Sequence, residues 1–116
     1  MQELQIQVDD TSEATRVVRL SGPLTLNTLF EFQDLVRKGG NTRDLIIQLA
    51  DVPYMDSAGL GSLLGALASC QSHGRKFALA NVSDRVVTML KVAGVDTIVP
   101  RYETSEIAAK QMAAKA

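Results

Sequence analysis

One stretch constrains the fold more than any other, because a buried strand there passes into a helix through a serine. Residues 44–50 are almost continuously apolar, as expected for an inner strand of a parallel sheet that is covered on both faces. Pro53 ends this run, and apolar residues at three- and four-residue spacing then predict a helix from Leu60 to about His73. Ser57 lies between them, where a helix start offers free backbone N–H groups and the positive end of its dipole.

The rest of the chain alternates between strand and helix patterns. Periodicity and turn residues predict strands at 4–8, 15–20, 45–49, 77–80 and 98–99. Helices are predicted at 26–38, 60–73, 84–93 and 104–115. The first two strands should form an antiparallel pair near a sheet edge, and the later strands should be parallel. The pattern predicts a single α/β domain over residues 1–116, with a core of about 4–107 and a mixed sheet of four to five strands packed by about four helices.

The helix faces indicate which side chains should pack against the sheet. Asp56, Ser83 and Thr104 are expected to cap the second, third and fourth helices. Thr25 or Asn27 should cap the first. The fourth helix should dock lightly, because it has few large apolar anchors. The expected core residues of the four helices, in order, are Leu29, Phe32, Leu35 and Val36; Leu60, Leu63, Leu64, Leu67 and Ala68; Val86, Val87, Met89, Leu90 and Ala93; and Ile107 and Met112.

Three loops should meet at one rim of this sheet. The carboxyl ends of parallel strands lie at the same edge, and ligand and partner sites collect there. The loops at 22–25, 53–59 and 81–84 all follow predicted strands. Ser57 belongs to the central loop.

Composition excludes several classes of function. A net charge of −1 gives no basic excess for nucleic acid, and no apolar run approaches the roughly 18 residues of a membrane span. A single cysteine, Cys70, excludes an intrachain disulfide, and an inert thiol outside the apolar stripe is expected. The first residues lack the basic and apolar regions of a signal peptide, so we expect a cytoplasmic protein with no membrane or nucleic-acid partner.

The residues around Ser57 do not predict an enzyme. A serine nucleophile needs a base about 3 Å away, but the only histidine, His73, lies 16 residues along the same helix, or roughly 24 Å. The glycines at 59, 61 and 65 resemble a dinucleotide-binding loop, but their spacing is one residue too long and no acidic residue follows about 20 residues later. Gly65 is instead expected to pack on the sheet. We therefore expect no catalytic, cofactor-binding or metal-binding residues.

The helix start has the features of a contact surface. With Asp56 as the cap, Ser57 becomes the first helical residue and its hydroxyl faces solvent. Two roles for Ser57 remain open at this point, a structural cap and a phosphorylation switch. Met55 is either an exposed apolar contact or a hydrophobic staple against the helix. Gly59 and Gly61 should keep the helix start open to a partner backbone, so Gly59→Val is expected to weaken binding with little loss of stability.

The segment at 52–61, Val-Pro-Tyr-Met-Asp-Ser-Ala-Gly-Leu-Gly, carries a fairly specific pattern in its Asp-Ser-x-Gly-Leu core. It follows the buried strand at 44–50, and the segments 18–22 and 76–82 and the helix ending at Gly94 add to the same layout. In these features the chain resembles the STAS domain of the anti-sigma factor antagonist family, over about residues 8–107.

This resemblance implies a mixed four- or five-stranded sheet and a bacterial partner-switching role. In such a protein the unphosphorylated antagonist binds an anti-sigma factor that is also its serine kinase. Phosphorylation releases the antagonist, and a PP2C-type phosphatase reverses the modification. By position, Ser57 would be the phosphoacceptor. The residues implied at the partner contact are Thr25, Met55, Asp56, Ala58, Gly59, Leu60, Gly61 and Ser83.

One position departs from the family pattern. The family often has Asp after a Gly-x-Leu triplet, whereas Thr25 follows Gly22-Pro23-Leu24 here, which weakens a rim carboxylate and its contacts to a kinase. STAS domains also serve in stress-signalling complexes and lipid-transport assemblies. The alternative function is therefore a constitutive scaffold module in which Ser57 is only a helix cap.

Overall fold

The computed structural model describes residues 3–10, 12–38 and 43–114, and this part of the chain forms five strands and four helices, which alternate after β2. The strands are β1 Gln5–Asp9, β2 Thr15–Ser21, β3 Asp44–Asp51, β4 Phe77–Ala80 and β5 Arg101–Tyr102. The helices are α1 Leu29–Lys38, α2 Ser57–Ser72, α3 Asp84–Val92 and α4 Ser105–Ala114. The predicted α/β class is confirmed, while the predicted last residue of the fourth helix, Lys115, lies outside the described residues.

The strands form one mixed sheet in chain order, β1-β2-β3-β4-β5. β1 runs antiparallel to β2, with Ile6 opposite Leu20, whereas β2 to β5 are parallel to one another. The predicted antiparallel pair and the edge position of the first strand are therefore confirmed. The parallel strands place their carboxyl ends at one rim, where the loops after β2, β3 and β4 lie.

Helices cover both faces of the central strand, as its apolar run predicts. Leu45, Ile47 and Leu49 of β3 point into the larger core, which lies beneath α1, α2 and α3. Ile46 points the other way, into a smaller core that includes Ala108 of α4. Because successive side chains of β3 point to opposite faces of the sheet, this strand contributes to both cores.

The last strand lies three residues later than predicted. Ile98 is 57% exposed, and its N–H donates to the carbonyl oxygen of Val95 in a turn at 3.1 Å. Pairing with β4 begins where the Leu79 N–H donates to the carbonyl oxygen of Pro100 at 2.9 Å. The prediction of a strand at 98–99 is therefore wrong. It rested on the two β-branched residues at these positions, whereas the pairing with β4 decides where β5 begins.

The first helix begins at Leu29, three residues later than predicted. The preceding residues form a turn held by Thr28, whose hydroxyl donates to the carbonyl oxygen of Pro23 at 2.8 Å. The same Thr28 oxygen accepts a hydrogen bond from the Thr25 N–H at 2.9 Å. This side chain offers the backbone an alternative to helical hydrogen bonding, so the turn persists until Leu29.

The fourth helix packs on the sheet through different residues from those predicted. Ile107, predicted as an anchor, is 41% exposed, whereas Ala108 and Met112 are buried. The Lys76 ammonium donates to the carbonyl oxygen of Met112 at 2.6 Å. Small residues allow the helix to lie close to the sheet, and the predicted role of Ile107 as an anchor is wrong for that reason.

Three smaller predictions for the helix faces also fail. Ala68 and Gly65 of α2 are exposed, because the buried face of this helix passes through Leu60, Leu63 and Leu67. Ala93, at the end of α3, is exposed as well. In these two helices the stripe of buried large apolar side chains determines the rotation, and the alanine and glycine positions follow from it. In the described part of the chain, no helix combines the length and the apolar character that crossing a bilayer requires.

Cys70 lies on the buried face of α2 and is only 5% exposed, so its expected place outside the stripe is wrong. Burial, with a smaller contribution from the negative charge of Asp44, raises the pKa of this thiol to about 11. At pH 8 only about one thiol in a thousand is then ionised, and the thiolate is the reactive form.

We predict that Cys70 reacts with a disulfide reagent at least a hundredfold more slowly in the folded protein than in guanidinium chloride. Burial and the raised pKa both slow the reaction. The absorbance of the released chromophore measures both rates at pH 8. Equal rates would show that the thiol is accessible in the native state.

Candidate functional site

Two of the three loops at the rim are joined through their backbones. The Leu24 N–H donates to the carbonyl oxygen of Tyr54 at 3.0 Å, and the Asp56 N–H donates to the carbonyl oxygen of Leu24 at 3.3 Å. Leu24 and Met55 also form an isolated parallel β-bridge. We call this contact between residues 22–26 and 54–59 the seam. It fixes the entrance of α1 against the entrance of α2.

The Asp56 carboxylate strengthens the seam from both sides. Asp56 has the extended backbone of an N-cap, and its Oδ1 accepts a hydrogen bond from the Gly59 N–H at 2.8 Å. Its Oδ2 accepts one from the Leu26 N–H at 3.2 Å. The predicted cap is confirmed, but the bond to Leu26 was not foreseen. One side chain thus caps α2 and holds the segment that leads into α1.

These hydrogen bonds lower the pKa of Asp56 below its ordinary value, the bond from Gly59 contributing most. A carboxyl whose pKa is lower in the folded state stabilises the fold above its unfolded pKa and loses that contribution as the pH falls through the folded pKa. The acid-sensitive range therefore lies below about pH 4.

We predict that Asp56→Asn lowers the melting temperature at pH 7 by several degrees, and that the gap to the unaltered protein narrows towards pH 3. The uncharged amide is a weaker acceptor than the carboxylate, and protonation removes the advantage of the carboxylate. Asp10, whose pKa is lowered by its hydrogen bond with Arg16, is present in both proteins, so the difference isolates Asp56. Thermal melts followed by circular dichroism would check this, and a gap that does not change with pH would contradict it.

Ser57 is the first residue of α2 and its side chain is exposed. No described residue hydrogen-bonds to its hydroxyl. The N-cap of α2 is supplied by the Asp56 side chain instead. His73 lies beyond the other end of the helix, with its Nδ1 2.9 Å from the carbonyl oxygen of Ser69. The hydroxyl is therefore open to an external reactant, while an intrachain serine–histidine pair is excluded.

The remaining predicted contact residues divide into exposed and buried positions. Gly61 is exposed and Ala58 is half-buried. Thr25 is half-buried, and its Oγ1 accepts a hydrogen bond from the Asn27 N–H at 3.3 Å. Ser83 is exposed on the third loop, where its Oγ caps α3 by accepting from the Val86 N–H at 3.2 Å. These residues remain predictions as partner contacts.

Met55, Gly59 and Leu60 lie in the interior instead. Met55 is 3% exposed, so the exposed alternative for this residue is wrong, and its side chain packs against the helix start. Leu60 is 7% exposed and belongs to the larger core. A Cβ atom on Gly59 would lie 2.0 Å from the carbonyl oxygen of Leu24. Gly59 therefore permits the seam to close, and the expected tolerance of Gly59→Val is wrong.

Sequence reasoning missed three apolar side chains that stay exposed near the entrances of α1 and α2. Leu26, Phe30 and Tyr54 are 58%, 60% and 51% exposed. A signal was present, because Leu26 and Phe30 fall off the buried stripe that contains Leu29 and Phe32. Their position next to Ser57 could not be inferred, since it depends on the seam.

Comparison with known proteins adds an independent line of support. The family model of the STAS domain matches residues 5–108. An anti-sigma-B factor antagonist of Staphylococcus aureus (strain NCTC 8325 / PS 47) is 30% identical over 93 residues, which cover 78% of this chain and 85% of that protein.

Solved structures share the fold. The anti-sigma factor antagonist SpoIIAA in its unphosphorylated form is 21% identical with a TM-score of 0.81, covering 95% of this chain and 97% of that one. The phosphorylated form of SpoIIAA, a Bacillus cell fate determinant, is 20% identical with a TM-score of 0.71, covering 92% and 98%. The murine anion transporter Slc26a9 is 18% identical with a TM-score of 0.77, and the match covers 98% of this chain but 22% of the transporter.

The structural matches support the fold alone, because their identities are low. The sequence matches carry the assignment, since the family model spans most of the chain and the staphylococcal relative matches along most of its own length. The chain belongs to the STAS domain family of anti-sigma factor antagonists.

Proposed function

We propose that the protein is a partner-switching regulator whose Ser57 carries a removable phosphate. Unphosphorylated, it binds an anti-sigma factor that is also a serine kinase; phosphorylation of Ser57 releases it, and a PP2C-type phosphatase restores binding. We propose that both reactions occur in the bacterial cytoplasm. The observation that carries the proposal is the exposed hydroxyl of Ser57, freed from capping by Asp56 at the start of α2.

The position of Ser57 predicts that a phosphate acts on binding and leaves the fold intact. The phosphate would stand at the positive end of the α2 dipole, near backbone N–H groups, which stabilises it. The neighbouring Asp56 carboxylate repels it and offsets part of that gain. In a contact with a partner, however, the phosphate brings about −1.5 to −2 charges into a desolvated surface. Like-charge contacts there cost several kcal/mol, and each 1.4 kcal/mol changes the affinity tenfold.

The chain serves as the substrate in this reaction, and the kinase supplies the catalytic groups. The Ser57 oxygen attacks the γ-phosphorus of ATP, a new O–P bond forms, and ADP leaves with the electrons of the broken bond. The hydroxyl proton passes to a base of the kinase. Asp56 is a poor candidate for that base, because both carboxylate oxygens already accept backbone hydrogen bonds. Metal ions and positioning groups around the nucleotide provide most of the catalysis in such reactions.

The relatives support this proposal and also suggest an alternative. The staphylococcal protein is an anti-sigma-B factor antagonist, and SpoIIAA is known in unphosphorylated and phosphorylated forms. The alternative is a constitutive scaffold module. It is favoured by Thr25 in place of the usual Asp and by the occurrence of the fold within a much longer transporter chain.

A pull-down with the purified cognate anti-sigma factor, with and without ATP, separates the two functions. We expect ATP to release the unaltered protein, while Ser57→Ala binds and stays bound. Ser72→Ala, at the far end of α2, is the matched control and should be released normally. Release of Ser57→Ala by ATP would contradict the proposal, and retention of all three proteins would favour the scaffold.

A further inference from the structure

We propose that Leu26, Phe30 and Tyr54 form a docking patch for a partner surface that combines apolar and basic side chains. The inference rests on the proposed function and deepens it by locating the main contact beside Ser57. Each of the three side chains is more than half exposed. Large apolar side chains that stay exposed on joined loops at one edge of a domain indicate a protein contact.

Backbone contacts place the docking patch next to the switch serine. The Leu26 N–H donates to the side chain of Asp56, the residue before Ser57. Tyr54 precedes Ser57 by three residues, and its carbonyl oxygen accepts from the Leu24 N–H at 3.0 Å. Phe30 follows Leu26 by about one helical turn, as the bond from the Leu29 N–H to the Thr25 oxygen at 2.9 Å indicates.

Acidic side chains border the docking patch. Glu3 and Glu31 are exposed, and together with Phe30 and Thr25 they line a groove of about 580 Å³ between the start of β1 and the start of α1. Asp51, at the end of β3, is also exposed at this rim, but it lines a separate groove together with Arg19, so the negative charge beside the patch rests on the two glutamates. A lysine or arginine side chain entering the groove would meet two carboxylates and an aromatic ring.

The groove also relates to the departure at Thr25. Thr25 occupies the place where the family pattern often has Asp, and it lines the same groove as Glu3 and Glu31. These two glutamates can supply negative charge beside that position. Arg85 on α3 is exposed near this rim as well, but it is flanked by Asp84. The complementary partner surface is therefore basic as well as apolar.

Attraction of the acidic groove to a basic partner surface is compatible with release by a phosphate on Ser57. The carboxylates of the groove and the phosphate on Ser57 face different groups of the partner. The kinase must bring the γ-phosphate of ATP to Ser57, so a phosphate there stands close to the anionic nucleotide. Glu31 lies on α1, on the side of the groove, and can face basic side chains of the partner. Charge at Glu31 should thus favour binding while charge at Ser57 opposes it.

Two variants test the docking patch with the purified cognate anti-sigma factor, by calorimetry at low and high salt. Phe30→Ser should weaken binding at least tenfold, and Glu31→Lys should do the same while reducing the salt dependence. The matched controls are Val92→Ser and Glu13→Lys, which change exposed residues away from this rim and should bind normally. Melting temperatures verify that each variant is folded.

The outcomes distinguish this inference from the proposed function. Normal affinity of Phe30→Ser and Glu31→Lys, together with release of the unaltered protein by ATP, would overturn the docking patch and leave the switch standing. Weakened binding of these variants without any effect of ATP would support the patch and contradict the switch. If the unaltered protein does not bind the anti-sigma factor, both are wrong.

Discussion

Gly59→Ala is expected to lower the free energy of unfolding by about 3 kcal/mol, the upper range for inserting atoms into a packed site. The new Cβ would lie 2.0 Å from the Leu24 carbonyl oxygen and 3.0 Å from the Met55 Cγ. The closest obstacle is backbone, so it cannot turn away as a flexible side chain can. Either the seam opens or α2 shifts, and both disturb the buried bridge between Leu24 and Met55. Urea denaturation measures the loss.

Gly61→Ala is the matched control two residues further along the same helix. Nothing lies within 4 Å of a Cβ at Gly61, and the residue is exposed. Alanine has a better helix propensity than glycine, so Gly61→Ala should be neutral or should stabilise the fold by about 0.5–1 kcal/mol. Equal destabilisation by both substitutions would show that the seam is not as tight as the structure indicates.

Ser57→Asp is expected to reduce the affinity for the anti-sigma factor at least a hundredfold while leaving the melting temperature within a few degrees of the unaltered protein. The exposed carboxylate stands at the start of α2, where the dipole favours a negative charge, so the fold has little reason to weaken. In the contact with the partner the same charge loses its hydration. Calorimetry gives the affinity and circular dichroism the stability.

Ser72→Asp provides the control for charge alone. It places a carboxylate on an exposed serine at the far end of α2, about 22 Å from Ser57 along the helix. Binding should be unaffected, although the negative end of the dipole lowers the stability slightly. A comparable loss of affinity at both positions would point to a general effect of net charge. A large fall in the melting temperature of Ser57→Asp would contradict the claim that the charge acts only on the interface.

The local features of this chain were predictable because their causes lie within a few residues. The continuous apolar run at 44–50 predicted β3. The three- and four-residue spacing of the apolar residues that follow it predicted α2. Three caps, at Asp56, Ser83 and Thr104, follow from oxygen-bearing side chains placed just before apolar periodic segments, and each accepts the expected backbone hydrogen bond.

The seam was not predictable, because it joins residues that are distant along the chain. The hydrogen bond from Leu26 to Asp56 spans 30 residues. The need for glycine at position 59 arises only once the Leu24 carbonyl lies against α2, and nothing near Gly59 in the chain reveals it. The sequence predicted that the space beside Gly59 stays open for a partner, whereas the Leu24 carbonyl group of the same domain occupies it.

The position of β5 and the docking of α4 were missed for related reasons. The register of β5 is set by its pairing with Leu79 and Ala80, not by its own composition. The close approach of α4 depends on Ala108, a residue that contributes little to a pattern of large apolar groups. Both features depend on the shape of the neighbouring element.

The central claim is that Ser57 accepts the phosphate that controls binding. The most direct measurement is tandem mass spectrometry of the protein after incubation with the purified anti-sigma factor kinase and ATP. The account predicts one added phosphate, located on Ser57, and none on Ser57→Ala. A phosphate on any other residue, or an unmodified Ser57 in a complex that ATP nevertheless dissociates, would contradict it.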